Sequence, residues 1–480
     1  MSKKIILLVA QICLILFNPI ASKEYSPDAS STMLHFINTG SSDAILIESN
    51  GHYGLIDTGN PYQYIKNEVE HVNIDESKGE RNQWTSDPDA SVQAVIDYLN
   101  YMKVKKLEFI LGTHAHSDHI GGVPAIAYYY VDSNTKYYYR EYRKTREDIT
   151  QVDWANYKYY LAAVNSMQKK SAQLFDLTNK HHEFDFGDLH LEFLNTDIDP
   201  DELNLGENQN SIITLIHFRN TKILLAADMI AKDDQKIKDY IGKLDLLKLA
   251  HHGYSESSYD FLKTTKPDNV VILNDHIPFY CNQLLNYLKY SVKSKVYMTK
   301  NISKSSKSVP NSAIKLKLNL NTPEYELINT GSEVEPDSTA NGWSSWYDHW
   351  TYIESGKTVK KWQKLKWSGG EDWFYFNEDG LMLIGWQELE WTGTKNWFYF
   401  DKKNGNMLTG WQKLEWTGGK NWFYFDKNNG NMLTGWQELE WTGGKNWFYF
   451  YPENGTMVQD CCIEIDGKQY CFDENGCLIE

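Results

Sequence analysis

The sequence has little positive charge and few long apolar runs, and each of these features excludes a class of partner or location. Positive charge is scarce, with 48 Lys and Arg residues against 64 Asp and Glu, which gives a net charge of −16. Nucleic acid is therefore not expected as a partner, because its phosphates would be repelled. Apolar runs of membrane length are also missing beyond the N-terminal segment, so no transmembrane segment is expected in the mature chain. At 480 residues, the chain should form two or more domains.

The N-terminal segment, residues 1–22, is predicted to be a secretory signal peptide. It has a charged start with two lysines, followed by an apolar stretch from Ile5 to Phe17. Cleavage is expected near Ala21 or Ser22, and the alternative is an uncleaved anchor. The protein is accordingly expected to be secreted.

Cysteine is rare, with six residues, and its distribution is uneven. Cys13 would be removed with the signal peptide. Cys281 has no other cysteine near it in the sequence and is expected to be a small buried apolar residue rather than a nucleophile. The last twenty residues hold Cys461, Cys462, Cys471 and Cys477. In an exported protein these predict disulfides whose pairing the sequence does not determine, and a zinc knot is the alternative.

Three histidines and an aspartate fall within six residues, directly after the apolar run from Leu107 to Leu111. They are His114, His116, Asp118 and His119, and Gly121-Gly122 follows. Alternate residues leaving a strand share a face, so His114 and His116 can hold one ion while Asp118 and His119 reach a second position. Imidazole and carboxylate ligands suit zinc or a similar divalent ion. The spacing therefore predicts two adjacent metals, an arrangement used for displacements at phosphorus or carbonyl centres.

Other predicted strands also end in polar residues. One runs into Asp57-Thr58-Gly59, one into Asp228, and one into His251-His252-Gly253. Strands that alternate with helices in this way predict a layered α/β domain over residues 23–330. Asp228 alone could be a helix cap, but its position after a hydrophobic strand favours a metal bridge.

These motifs together resemble the metallo-β-lactamase superfamily. The resemblance implies an αβ/βα sandwich with two divalent metal ions, zinc being the expected metal, at the sheet edges. It places His114 and His116 on the first metal, Asp118 and His119 on the second, Asp228 between them, and one of His251 or His252 on the second. His252 is favoured as the ligand and His251 as a substrate-facing acid. The usual third histidine of the first site is missing, since residues 207–210 read Glu-Asn-Gln-Asn. That departure favours phosphodiesters over lactams.

The C-terminal part is a repeat. A polar linker is expected at 331–341, and from 342 to 480 the triplets Gly385-Trp386-Gln387, Gly410-Trp411-Gln412 and Gly435-Trp436-Gln437 recur every 25 residues. Each unit reads as an aromatic hairpin that must stack on its neighbours, which predicts a β-hairpin solenoid. The unit around Tyr470 has no tryptophan and reads as a terminal cap.

The repeats resemble the cell-wall-binding repeats of choline-binding and glucan-binding proteins. The resemblance implies aromatic cages for a trimethylammonium group, with Trp386, Trp397, Tyr399 and Trp411 forming one cage. A sugar stacked on the rings is the alternative. The expected choline-binding residues are Trp362, Trp373, Tyr375, Trp386, Trp397, Tyr399, Trp411, Trp422, Tyr424, Trp436, Trp447 and Tyr449.

Both parts together resemble the secreted phosphorylcholine esterases of choline-decorated Gram-positive bacteria. The resemblance implies hydrolysis of a phosphodiester at the wall surface, releasing phosphorylcholine from teichoic or lipoteichoic acid, with Asp118 and His251 acting in catalysis. Two alternatives remain at this stage. One is a phosphodiesterase on nucleic acid or phospholipid with glucan-binding repeats, and the other is a wall-bound adhesin with an inactive catalytic domain.

Overall fold

The computed structural model describes residues 31–61, 88–142, 151–197, 206–254, 257–277, 281–303, 309–346 and 349–479. The predicted signal peptide lies outside these ranges. The chain divides into two compact units, Met1–Pro336 and Asp337–Glu480. No helix within the described ranges is long and apolar enough to cross a membrane.

Fifteen strands of the first unit form two sheets. The strands are β1 (Thr32–Ile37), β2 (Ile45–Ser49), β3 (His52–Ile56), β4 (Phe109–Leu111), β5 (Lys136–Tyr139), β6 (Gln173–Asp176), β7 (His182–Phe186), β8 (Leu189–Leu194), β9 (Ile213–Phe218), β10 (Thr221–Leu225), β11 (Leu246–Lys248), β12 (Asn269–Ile272), β13 (Lys295–Met298), β14 (Ala313–Leu318) and β15 (Tyr325–Ile328). The first sheet has the order β15-β14-β1-β2-β3-β4-β5-β6, and the second has the order β13-β12-β11-β10-β9-β8-β7.

Helices connect these strands. The α-helices are α1 (Pro88–Tyr101), α2 (Ser117–Ile120), α3 (Val123–Tyr130), α4 (Gln151–Lys169), α5 (Ala231–Ile241), α6 (Tyr259–Thr265) and α7 (Cys281–Asn286). Tighter or wider turns of helix occupy Glu207–Asn210, Ala250–Gly253, Tyr287–Val292, Thr299–Asn301 and Val309–Asn311.

Apolar side chains on the strands divide between two cores. Leu34 and Phe36 on β1 pack with Leu191 on β8 and Ile216 on β9, so one core lies between the two sheets. Ile37 and residues of α1 and α3 form a second core on the outer face of the first sheet. Alternation along each strand fills both cores at once. The layered sandwich, followed by hairpins in the second unit, confirms the predicted fold class.

The second unit is a series of hairpins. A three-stranded sheet of β16 (Gly342–Trp346), β17 (His349–Glu354) and β18 (Lys357–Thr358) comes first. Five hairpins follow, formed by β19 (Lys361–Trp367) with β20 (Gly370–Phe376), β21 (Gly385–Trp391) with β22 (Thr394–Phe400), β23 (Gly410–Trp416) with β24 (Gly419–Phe425), β25 (Gly435–Trp441) with β26 (Gly444–Phe450), and β27 (Cys461–Ile465) with β28 (Lys468–Phe472).

Backbone hydrogen bonds join each hairpin to the one before it. The amide of Met407 donates to the carbonyl of Trp373 at 2.8 Å, and Met432 donates to Trp397 at the same distance. Met382 makes the equivalent bond to Trp350, so the first sheet of the unit occupies the place of a repeat. Stacking thus satisfies backbone groups as well as burying aromatic faces.

The cysteines and the linker have defined surroundings. Cys462 and Cys471 form a disulfide across the last hairpin, whereas Cys461 and Cys477 are unpaired and Cys281 is buried. Burial raises the pKa of the Cys281 thiol to about 12. Within the segment predicted as a linker, Val334 is buried and its amide donates to the carbonyl of Val296 at 2.8 Å. The first part of that segment therefore packs on the first unit.

Candidate functional site

Strand ends from both sheets converge on one site. In the first sheet β3 and β4 are parallel, so the residues that follow them, Asp57 and His114, leave the same sheet edge. In the second sheet β10 and β11 are parallel, and they deliver Asp228 and His252. Ligand sites in α/β folds form at the carboxyl ends of such strands.

Close packing shapes the histidine-rich loop after β4. A Cβ atom at Gly122 would lie 2.3 Å from the carbonyl oxygen of Thr58, which explains why glycine follows the motif. Thr58 in turn donates from its amide to the carbonyl of His119 at 2.7 Å. Asp57 accepts from Nδ1 of His119 at 2.7 Å and from the amide of Thr113 at 2.9 Å. The loop is therefore anchored on both sides before any ion binds.

Two groups of side chains that share a residue have donor atoms close enough to hold an ion each, and within the described residues a further group beside them, Asp43, Asp57 and His119, meets the same criterion. The first consists of His114, His116 and Asp228, and the second of Asp118, His119, Asp228 and His252. Asp228 belongs to both groups. The structure thus brings together all six residues predicted as ligands from the sequence, and their assignment to two metals stays a prediction.

The second group fits a divalent metal because three of its donor atoms have no hydrogen-bond partner in the described part of the chain. Nε2 of His119, Nε2 of His252 and Oδ1 of Asp228 are buried and form no hydrogen bond with the described residues. The carboxylate oxygen lies 3.1 Å from the first nitrogen and 3.6 Å from the second. Nδ1 of His252 donates to the Leu273 carbonyl at 3.1 Å, and Nδ1 of His119 donates to Asp57. Both rings therefore turn their Nε2 atoms toward the carboxylates, as metal-binding histidines do.

The charges at the site are strongly interdependent. Burial alone would lower the pKa of His119, but the carboxylates of Asp228, Asp57 and Asp118 raise it well above its usual value. The pKa of His252 is raised to about 10, because Asp228 and Asp43 outweigh the effect of burial. Burial alone would raise the pKa of Asp228, but the neighbouring histidines hold it well below its usual range. In the metal-free site, protonated His119 and His252 thus supply positive charge that a bound metal would replace.

The remaining ligand candidates are in the ionisation state that metal binding needs. Burial lowers the pKa of His114 well below its usual value and also lowers the pKa of His116. Burial would raise the pKa of Asp118, but His119 and His252 lower it. Neutral imidazole and ionised carboxylate are the forms that coordinate divalent ions.

The segment in which a third histidine of the first site would be expected is a short helical turn with no histidine. Asn208 sits in the short helical turn Glu207–Asn210, and its Nδ2 lies 3.3 Å from Nε2 of His251. Oε1 of Glu207 accepts from the amide of Ala115 at 3.0 Å and so supports the histidine-rich loop. The His251 side chain is 27 % exposed, and its Nε2 lies 3.8 Å from Asp228. His251 therefore lies at the open side of the site, outside both ligand groups.

Left-handed backbone conformations cluster around the site. Asp57, Ala227, His251 and His252 have φ values of 57°, 45°, 48° and 52°. Such conformations are uncommon for residues other than glycine and persist where the surrounding structure imposes them. Here they occur where the chain leaves β3, β10 and β11.

Within the described residues of the second unit, three aromatic clusters each consist of four rings, which we call the walls of the cluster. Their members are Trp362, Trp373, Tyr375 and Trp391 in the first, Trp386, Trp397, Tyr399 and Trp416 in the second, and Trp411, Trp422, Tyr424 and Trp441 in the third. Ring centroids within these clusters lie 4.9 to 6.4 Å from the central tryptophan. The fourth wall always comes from the following hairpin.

The fourth wall differs from the one expected. Trp386 is adjacent to Trp416, at 5.1 Å between ring centroids, whereas Trp411 is adjacent to Trp441 at 4.9 Å. Trp411 and Trp416 are five positions apart on β23, so their side chains point to opposite faces of the strand. Trp416 faces the preceding unit and Trp411 the following one. Sequence reasoning therefore missed Trp391, Trp416 and Trp441, although strand alternation was enough to find them.

The clusters at the two ends of the repeat are less complete. Trp436 contacts Trp447 and Tyr449, but its neighbours from the last hairpin are Tyr470 and Phe472. Strand β27 ends at Ile465, two residues before the position that a fourth tryptophan would need. At the other end Trp343 contacts Trp350 and Tyr352. There the candidate fourth wall, Trp367, instead donates from Nε1 to Asp372 at 2.6 Å.

The fold and the first site define a class, that of metal-dependent hydrolases built on a two-sheet sandwich. Comparison with known families assigns residues 37–276 to the metallo-beta-lactamase superfamily. That match covers half of the chain, and the chain belongs to this superfamily. Its members usually bind divalent metals, in agreement with the two ligand groups. Residues 359–410 and 393–435 match the choline-binding repeat, which implies association with a cell wall.

Solved structures resemble each half of the chain separately. Choline binding protein F from Streptococcus pneumoniae is 32% identical over 34% of this chain and 48% of its own, with a TM-score of 0.24. CbpJ from the same organism is 29% identical over 34% of this chain and 47% of its own, with a TM-score of 0.24. The chain thus spans about half the length of these two proteins. The metallo-beta-lactamase fold protein YhfI from Bacillus subtilis is 13% identical over 60% of this chain and 99% of its own, with a TM-score of 0.35. No curated protein matches the chain.

Proposed function

We propose that the protein is a secreted, metal-dependent phosphodiester hydrolase that releases phosphorylcholine from teichoic or lipoteichoic acid. The observation that supports this proposal is the presence, in one chain, of a two-group metal centre and a ladder of aromatic clusters of choline-binding type. The repeats would hold the enzyme on the polymer that carries its substrate. Choline would then be recognised twice, by the repeats and at the catalytic centre.

In this proposal the first metal is held by His114, His116 and Asp228, and the second by Asp118, His119, Asp228 and His252. Both metals are expected to be zinc, because the donors are imidazoles and carboxylates. Two bound ions would supply an activated water and neutralise the phosphoryl oxygens. The absence of a third histidine leaves the first group with fewer protein donors and more room for a substrate oxygen.

Residues around the opening would bind and orient the substrate. His251 lies at the rim, 3.8 Å from Asp228, where its ring can donate a proton to the leaving alcohol. Asn208 lies beside it, with Nδ2 3.3 Å from Nε2 of the ring. The ring of Tyr254 lies 5.4 Å from that of His251, and its face can attract a trimethylammonium group. Asp118, the most exposed carboxylate of the second group, would face both the substrate and the metal.

The proposed activity is tested by measuring phosphorylcholine release from choline-bearing teichoic acid. Native protein loaded with zinc should release phosphorylcholine, and the Asp118→Ala variant or addition of a chelator should abolish release. Teichoic acid without choline is the matched substrate control. If the native, zinc-loaded protein released nothing from the choline-bearing polymer, the esterase assignment would be wrong.

The repeats should bind choline at three tight sites per chain, one for each four-walled cluster. A cation enclosed by aromatic faces gains about 0.5–2 kcal/mol from each such contact, so the three-walled end clusters should be weaker. Titration calorimetry of the full chain with choline should show Trp411→Ala losing one tight site, while Trp436→Ala retains all three. Equal losses in both variants would show that the fourth wall has no role.

A further inference from the structure

A lysine and an aspartate are buried together beneath the metal centre. Lys248 ends β11 with a side chain that is 0% exposed, and Asp43, in the segment before β2, is 2% exposed. The ammonium group of Lys248 donates to the carboxylate of Asp43 and to the carbonyl of Ala227 at 3.0 Å. Burying two charges costs several kcal/mol per ion unless their surroundings compensate for it. The burial of this ion pair therefore suggests that it has a role other than packing.

The pair lies beside two proposed ligands and is hydrogen-bonded to the residue that precedes a third. Oδ1 of Asp43 lies 3.2 Å from Nδ1 of His252, and Oδ2 lies 4.0 Å from Nδ1 of His119. Ala227, which accepts from Lys248, immediately precedes Asp228 and has a left-handed backbone conformation. The same carbonyl accepts from the amide of His251 at 2.9 Å. One ion pair thus connects the sheet edge that carries Asp228 with the ring that completes the second metal group.

We propose that Asp43 and Lys248 are positioning residues for the second metal. The inference rests on the metal site of the proposed function. The partner of one imidazole nitrogen sets the orientation and tautomer of the ring, and hence which nitrogen faces the metal. The Leu273 carbonyl accepts from Nδ1 of His252, the Asp43 carboxylate adds a negative charge 3.2 Å from the same nitrogen, and Lys248 holds that carboxylate in place. Neither residue belongs to the two ligand groups that share Asp228.

A purely structural role is the competing explanation, because the pair also joins the two sheets. Asp43 belongs to the first sheet's edge and Lys248 to the second, 205 residues apart in sequence. The two roles predict different behaviour when both charges are removed together. A structural pair replaced by two neutral residues of similar size can be tolerated without loss of stability, and the metal would then be unaffected. A positioning pair would leave the metal weakly held even in a stable protein.

The test compares zinc binding by the full chain with Asp43→Asn, Lys248→Met and the double variant Asp43→Asn/Lys248→Met. Zinc content per chain is measured after dialysis against graded concentrations of a chelator, and thermal unfolding of the metal-free protein is followed in parallel. Loss of such a supporting contact should weaken the second metal about 10- to 100-fold. The single variants should also unfold at lower temperature, since each leaves a buried charge unpaired. The double variant should regain most of that stability but not the zinc affinity.

A second readout reports geometry directly. Substituting cobalt for zinc should give a visible spectrum whose second-site bands change in the double variant, because only the Leu273 carbonyl then fixes the orientation of the His252 ring. Wild-type zinc affinity and an unchanged cobalt spectrum in the double variant would overturn the proposal. Where the double variant does not fold, the Asp43→Asn single variant carries the same spectroscopic test, with the same two outcomes.

A matched control comes from a second buried carboxylate of the same unit. Glu48 on β2 pairs with His35 on β1 at 3.2 Å, and both side chains are fully buried. Glu48→Gln should lower the unfolding temperature without changing zinc affinity. If Glu48→Gln lost as much zinc affinity as Asp43→Asn, the effect of Asp43 would be explained by general destabilisation. Wild-type protein that binds two zinc ions but releases no phosphorylcholine would refute the proposed function alone.

Discussion

Replacing Asp228 with alanine is expected to release both metals and to abolish phosphodiester hydrolysis. Asp228 is the residue shared by the two ligand groups, with Oδ1 near His119 and His252 and Oδ2 3.8 Å from His114. Supporting contacts alone typically change metal affinity or activity about 10- to 100-fold, so loss of a shared ligand should exceed that range. Zinc content after dialysis and hydrolysis of a chromogenic phosphodiester measure the two effects separately.

The control for this variant is an aspartate of the same unit that lies in solvent. Asp185 on β7 is 84% exposed, and Asp185→Ala should retain two zinc ions and full hydrolysis. Asp228→Ala should still fold, because the removed carboxylate is compensated by histidines that can lose their protons. If Asp228→Ala kept both ions, the two groups would not share a ligand, and the metal centre proposed here would be wrong.

Much of this centre could be predicted from the sequence because its signals are local. His114, His116, Asp118 and His119 lie within six residues, and any strand that enters such a loop brings them together. Asp228 and the His251-His252 pair follow apolar runs long enough to be recognised as strands. Parallel strands place their carboxyl ends at one edge, which accounts for the convergence of segments more than a hundred residues apart.

The support of the centre could not be predicted in the same way. Lys248 reads as one polar residue in an apolar strand, and Asp43 as an ordinary turn residue before β2. Their contact depends on how the two sheets pack face to face, and no spacing in the sequence encodes that packing. Asn208 was recognised as a departure from the family pattern, but its contact with His251 depends on tertiary placement.

In the aromatic clusters, by contrast, the position of the fourth tryptophan is related to the sequence of a single strand. In β21, β23 and β25, the first tryptophan of the strand faces the following junction and the last tryptophan of the strand faces the preceding one, as Trp411 and Trp416 do. The odd separation of the two residues requires opposite faces. Counting along the strand therefore shows that Trp411 and Trp416 cannot belong to the same junction.

Removing all three fourth walls is expected to abolish attachment to choline-bearing surfaces. The triple variant Trp391→Ala/Trp416→Ala/Trp441→Ala opens every four-walled cluster while leaving the central tryptophans packed on the phenylalanines beneath them, as Trp411 is on Phe448. Each missing cation–π contact should weaken its site by about 0.5–2 kcal/mol, which is roughly 2- to 30-fold. Linked sites multiply such losses, so retention on a choline column should fall by about 10²- to 10⁴-fold.

The matched control is Trp367→Ala, which removes the tryptophan at the same position of the preceding hairpin. Because the indole of Trp367 is hydrogen-bonded to Asp372, its loss should leave column retention unchanged. Hydrolysis of a small chromogenic phosphodiester should be the same in all these proteins, since the catalytic residues belong to the other unit. Retention of the triple variant at the wild-type level would place the ligand outside these clusters. Release of the wild-type protein by soluble glucan, but not by free choline, would instead show that the clusters bind a sugar.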